Sequence, residues 1–128
     1  IWGQGARASD PRLWEQDFGA WDGLPLDEVP DIGALEPEAL TRHTPPEGES
    51  FLDVCARVAP AVQEAAQTAP DHPLAIVAHA GVVRAALAMA LNSPAQALLF
   101  EVAPLSVTRL RRLPDGGFSI IATNGHPT

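Results

Sequence analysis

Two short stretches carry residue types suited to anion and acid–base chemistry. In Val77-Ala78-His79-Ala80-Gly81-Val82-Val83-Arg84 an apolar run ends in a histidine, and a helical pattern begins one or two residues later. Such a strand-to-helix turn is where open α/β sheets hold ligands. The first N–H groups of the helix and its positive dipole end attract an anion such as phosphate. Ala80 and Gly81 are small enough to let that anion reach the backbone, and His79 adds a donor, with a positive charge if the site raises its pKa. The second stretch, Leu13-Trp14-Glu15-Gln16-Asp17-Phe18-Gly19, sets Glu15 among aromatics. A poorly hydrated carboxyl has a raised pKa, as a general acid working near neutral pH requires. Plainer roles fit the same residues: a structural histidine at a turn and an exposed loop acid. The two lie far apart in sequence, so spacing leaves their meeting open.

The remaining polar residues offer less. His43, His72, His79 and His126 have no metal-ligand spacing, and no cysteine pair or His-Glu-x-x-His is present, so no metal and no cofactor is expected. Neither a Walker-type phosphate loop nor a Gly-x-Ser-x-Gly elbow occurs. Cys55 falls on the apolar face of a helical pattern and reads as core rather than nucleophile. Arg84 falls off the apolar stripe of its helix; it could touch a ligand, but a surface or ion-pairing role is the plainer reading, and Arg57, between stripe positions, reads the same way. Arg109, Arg111 and Arg112 make a short basic run on a strand.

The elements that must position Glu15 and His79 fit one domain of 128 residues, 46% of them hydrophobic. Asp+Glu number 16 against eight Lys+Arg, a net charge of −8, which argues against general nucleic-acid or anionic-membrane binding. All eight basic residues are Arg, so an anion site must be built from Arg, His and backbone N–H groups. A single cysteine fits a reducing compartment such as the cytoplasm. The sequence starts at Ile1 and its one methionine is Met89, so the chain is expected to be part of a longer gene product.

Residues 1–12 read as loop, and Leu13–Gly23 as a short extended piece leading into tight turns. Five prolines between positions 24 and 48 allow only short helices, one of them around 33–43. Ser50 and Asp53 have the form of a capping box. After them Phe51, Val54, Cys55, Val58, Val62 and Ala65 recur at helical spacing, with Pro60 on the opposite, wet side. Leu74–Ala78 reads as a buried, parallel strand, followed by a helix with Val82, Val83, Ala86, Leu87, Ala90 and Leu91 on its stripe, closed by Asn92 and Pro94. Leu105–Leu113 and Phe118–Ala122 read as strands joined by a Pro-Asp-Gly-Gly turn. The order of elements points to an α/β layer architecture.

Three segments together resemble the histidine phosphatase, or phosphoglycerate mutase-like, superfamily. Leu13–Gly23 is similar to the family's Leu-x-Glu-x-x-Phe-Gly-x-Trp-Glu-Gly stretch, Pro46-Glu47-Gly48-Glu49-Ser50 to its Pro-Gly-Gly-Glu-Ser helix start, and Val77–Arg84 to its Val-x-His-Gly-Gly-Val-Ile-Arg turn. The resemblance spans most of residues 10–124. It implies a three-layer α/β fold, a mostly parallel sheet flanked by helices. It implies that Glu15 is the proton donor, His79 the second active-site histidine, and the backbone N–H of Ala80 a phosphate ligand; Ala80 replaces the usual glycine.

The family's nucleophile is a histidine in an Arg-His-Gly motif on the first strand. The sequence contains no such motif; its one Arg-His pair, Arg42-His43, is followed by Thr44. Residues 1–128 are therefore expected to be the C-terminal portion of one such domain, with the N-terminal strand missing. A piece lacking a central strand is expected to fold poorly by itself, with homodimerisation through the exposed edge as a rescue.

The implied activity is metal-independent hydrolysis of a small phosphorylated metabolite through a phosphohistidine. Gln16 and Asp17 supply no positive charge after Glu15, unlike the mutases, which favours a phosphatase; Phe18–Gly23 most resembles the alpha-ribazole and broad-specificity phosphatases, the former acting in cobalamin synthesis. Three other readings remain open at this point: a catalytically inactive module for binding or regulation, mutase-type phosphoryl transfer, and an unrelated α/β binding domain with a structural His79.

Overall fold

Local signals set most of the elements. The computed structural model describes residues 8–33, 35–68 and 71–127; the loop expected over 1–12 falls mostly outside them. Leu13–Gly23 is less extended than expected: 3-10 turns form at Pro11–Leu13 and Gly19–Trp21. A further 3-10 turn covers Leu26–Glu28, and the proline-rich stretch allows one short helix, α1 (Pro37–Arg42).

Helix α2 (Phe51–Thr68) begins at the expected box. Asp53 N–H donates to Ser50 Oγ at 3.1 Å, and Ser50 N–H donates to Asp53 Oδ2 at 2.9 Å. Two otherwise unpaired first-turn donors are thereby satisfied. Pro60 sits inside the helix with its ring exposed, so its missing N–H interrupts the ladder on the solvent side while the buried stripe runs on.

Helix α3 (Ala80–Leu91) ends at Asn92, whose left-handed backbone (φ 52°) returns its N–H to the Ala88 and Met89 carbonyls. The one-turn helix α4 (Pro94–Ala97) follows, its first turn capped by Ser93. Strands β1 (Val107–Arg112) and β2 (Phe118–Gly125) pair antiparallel, with register shifts around Arg109. The predicted turn closes them: Gly116 takes φ 89° and Leu113 N–H donates to Gly117 O at 2.8 Å.

The core lies on two sides of α3. On one side Val82 and Ala85 pack against Phe51, Val54 and Val58 of α2. On the other, Leu87 and Ala88 meet Ala97 of α4, with Leu110 and Ile120 of the hairpin closing over them. Full burial of a Val, Leu or Phe side chain contributes about 1.5–3 kcal/mol, so this double-sided seat holds α3, and the turn ahead of it, in place.

The segment Leu74–Ala78 departs from expectation. It is not a strand; Leu74, Ile76 and Val77 are 51%, 42% and 89% exposed. A parallel strand exists only where neighbours share its hydrogen-bond ladder, and among the described residues no segment lies alongside. Of the expected sheet, the described residues form only the antiparallel hairpin.

Candidate active site

The segment bearing Glu15 is tied down at both ends. Ahead of it, Asp10 accepts the Arg12 backbone N–H at 2.9 Å, and the Arg12 guanidinium pairs with Asp10 and with Glu64 of α2, both at 2.7 Å. Hydrogen bonds from Arg12 hold the Asp10 and Glu64 carboxyls below their usual range. Behind it, Ala20 N–H donates to Pro46 O and Glu49 N–H to Asp17 O, both at 2.8 Å. These bonds bring backbone onto backbone at two glycines. A Cβ on Gly19 (φ 55°) would overlap Pro46 O, and one on Gly48 would strike Asp17 O.

Arg57, reaching over from α2, fastens the middle. It donates to the carbonyls of Arg12 (2.8 Å), Trp14 (2.7 Å) and Glu15 (3.2 Å), and holds Glu49 through both of its carboxylate oxygens.

So anchored, the Glu15 carboxylate lies against the first turn of α3. Its Oε1 accepts the Gln16 N–H at 2.8 Å and occupies the space where a Cβ of Gly81 would stand. His79 precedes the helix with extended backbone, and its carbonyl accepts the N–H groups of Val82 and Val83, both at 3.1 Å. Among the described residues, the N–H groups of Ala80 and Gly81 meet no acceptor. Two free amides at the positive end of a twelve-residue helix, beside a carboxyl, can hold an anion and deliver a proton to it. Ala80 is the first residue of α3 and is not among the positive-φ positions, so its methyl brings no backbone strain.

Glu15, Ala80 and Gly81 line one cavity of about 220 Å³, with Arg84, His43 and Gln16 as its other polar residues. Arg84 donates from Nε to Phe100 O at 2.9 Å, which fixes its side chain at the wall. His43 stacks on Trp21, ring centroids 5.1 Å apart. Phe18, Trp21 and Ile32 also line a second cavity of about 290 Å³, completed by Asp22, Gly23, Val29 and Pro30.

Of the residues singled out from sequence, Glu15 and Ala80 thus meet in one cavity. The His79 side chain is exposed and is not among the residues that line it. Trp14 is 66% exposed and outside the lining, so the shielding expected from flanking aromatics reduces to Phe18. Arg84 lines the cavity rather than the surface, and Arg57 is ion-paired, as one of its readings has it, in a partly buried contact with Glu49. His43 had no signal beyond its type. Cys55 packs at the edge of the core, where burial pushes its thiol up to about 11. No group of three His, Cys, Asp or Glu side chains gathers among the described residues, and none of their helices is long and apolar enough to cross a membrane.

Comparison with known proteins gives a consistent picture. The sequence profile described as the histidine phosphatase superfamily (branch 1) matches residues 6–124. The bifunctional protein Rv2228c of Mycobacterium tuberculosis is 31% identical over 90% of the chain, and an uncharacterized protein of Mycobacterium bovis, Mb2253c, matches equally. Bacillus stearothermophilus YhfR superposes with a TM-score of 0.76 at 26% identity over 93% of the chain. The mycobacterial glucosyl-3-phosphoglycerate phosphatase Rv2419c, solved with inorganic phosphate, gives 0.71 at 28% identity over 91%. The chain spans about 33% of the length of the curated relatives and 61–64% of these two solved structures.

Proposed function

The chain belongs to the histidine phosphatase superfamily and shares its α/β fold, and on that footing we propose that it forms part of a phosphomonoester hydrolase with Glu15 as the proton donor. One observation carries this reading: Glu15 lines the same cavity as Ala80 and Gly81, whose amides meet no acceptor among the described residues. In this reading residues 1–128 are the C-terminal portion of the catalytic domain, and the nucleophilic histidine comes from outside them.

The reaction then has two halves. The nucleophilic imidazole attacks phosphorus and the ester P–O bond breaks; the departing alkoxide takes the proton of Glu15. Water next attacks the phosphohistidine while the Glu15 carboxylate accepts its proton, which releases phosphate and restores both groups. The N–H groups of Ala80 and Gly81, with Arg84 and His79, offset the charge on the phosphoryl oxygens.

Hydrolysis is favoured over mutase-type transfer by the residues after Glu15. Gln16 Nε2 is committed to Glu49 O at 2.9 Å, and Asp17 is an anion, so no cation stands there for a second acidic group of the substrate. The second cavity, lined by Phe18, Trp21, Val29, Pro30 and Ile32, suits an uncharged, flat leaving group. Alpha-ribazole phosphate, with its aromatic base, meets that description.

The test is turnover by the full-length protein of p-nitrophenyl phosphate and alpha-ribazole phosphate, with glucosyl-3-phosphoglycerate as the anionic comparison. Release of phosphate with an acid-labile phosphoenzyme, lost in Glu15→Gln for alkyl esters, supports the proposal. No turnover of any monoester favours a binding or regulatory module. A preference for the anionic sugar ester overturns the leaving-group assignment alone.

A further inference from the structure

We propose that Arg57 is a positioning residue for the proton donor, acting with Glu49 as a clamp that sets where the Glu15 carboxylate points; this rests on the reading of Glu15 as that donor. A guanidinium has five N–H donors in a fixed plane. In Arg57 all five are used. Nε and one N–H of NH2 hold the Glu49 carboxylate, at 3.2 and 2.5 Å. NH1 divides between the carbonyls of Arg12 and Trp14, and the second N–H of NH2 reaches the carbonyl of Glu15 itself.

Glu49 extends the clamp past the donor. Its Oε1 accepts the Asp17 N–H at 2.9 Å, its backbone N–H donates to Asp17 O, and its carbonyl takes Gln16 Nε2. Glu15 is therefore held on both chain sides, and its carboxylate rests between the Gln16 N–H and the bare α-carbon of Gly81. The charge of Arg57 is met by Glu49, and its contacts with the Glu15 segment are all to carbonyls. It governs the acid's geometry rather than its charge.

Lysine cannot substitute. An ammonium has three donors and no plane, so at least two of the five bonds go. A donor displaced by about 1 Å loses on the order of a hundredfold in rate.

The experiment compares kcat/KM of the full-length protein and its Arg57→Lys and Glu49→Gln variants on two substrates. An alkyl phosphate needs its leaving group protonated; 2,4-dinitrophenyl phosphate does not. The ratio of the two rates is independent of the fraction of enzyme folded, so a variant that folds poorly still gives an answer. Proton-donor catalysis contributes about 10²–10⁴-fold; in Arg57→Lys we expect the alkyl ester to lose about a hundredfold and the activated ester less than about threefold. Parallel losses on both substrates, or no loss on either, overturn the role of Arg57. Glu15→Gln serves as the control: if it leaves the ratio unchanged, the donor assignment itself has failed.

Discussion

The Oε1 atom of Glu15 sits where the side chain of residue 81 would begin, and residue 81 is glycine. The Glu15 carboxylate and the first turn of α3 are thus in van der Waals contact, which spacing along the chain does not reveal.

Adding one methyl there tests the contact. In Gly81→Ala the new Cβ displaces the end of a flexible carboxylate rather than backbone, so folding should be nearly unchanged, and alanine gains up to about 1 kcal/mol of helix propensity. Turnover of an alkyl phosphate should fall about a hundredfold as the acid is pushed aside. Melting curves beside kcat/KM check both halves; an active Gly81→Ala enzyme would refute the contact's importance.

Arg84 should act on affinity. Its Nε is engaged by Phe100 O, and the residue lines the cavity. A hydrogen bond to a charged group contributes about 1.5–3 kcal/mol, so Arg84→Gln should weaken vanadate inhibition about tenfold or more. Inhibition constants measured on both proteins decide it.

The capping box should be visible in stability alone. Ser50 is buried and its Oγ accepts the Asp53 N–H. Ser50→Ala should cost about 1 kcal/mol in urea unfolding of the full-length protein. Vanadate affinity of the folded protein should stay within about twofold of the parent's, a difference of about 0.4 kcal/mol or less.

The Cys55 thiol gives a pH signature. Burial raises it from 9.0 to about 11. Between those values the unfolded chain loses its thiol proton while the folded one keeps it, so stability present below pH 9 is lost as pH rises toward 11. Alkylation by iodoacetamide at pH 8 should be slower in the native state than after unfolding, and Cys55→Ala should remove the titration. Equal alkylation rates would refute the burial.

These outcomes depend on contacts of very different range. The capping box of Ser50 and Asp53, the Asn92 helix end and the Gly116 turn are each complete within a few residues, so their residue types alone specify them. The stripe of α2 was equally legible, because its period reports its buried face. Arg57 was not: three of its acceptors lie more than forty positions away, and nothing local distinguishes a clamp from a surface arginine. Glu15 and the His79 turn stand out by residue type, but only their joint resemblance to a family pattern ties them to one site. Leu74–Ala78 reads as a strand because apolar runs usually find neighbours; among the described residues none pairs with it.

That last segment bears on how residues 1–128 behave in the test tube. A ribbon containing exposed Leu74, Ile76 and Val77, whose amides and carbonyls find no backbone partner among the described residues, is adhesive. Expressed by itself, this stretch would gather copies of itself, and concentration-dependent light scattering would be its first symptom. A complementing peptide of strand length, added in solution, should act as a solubiliser by claiming those flanks. Scattering that such a peptide leaves unchanged would show that those flanks are not the adhesive surface.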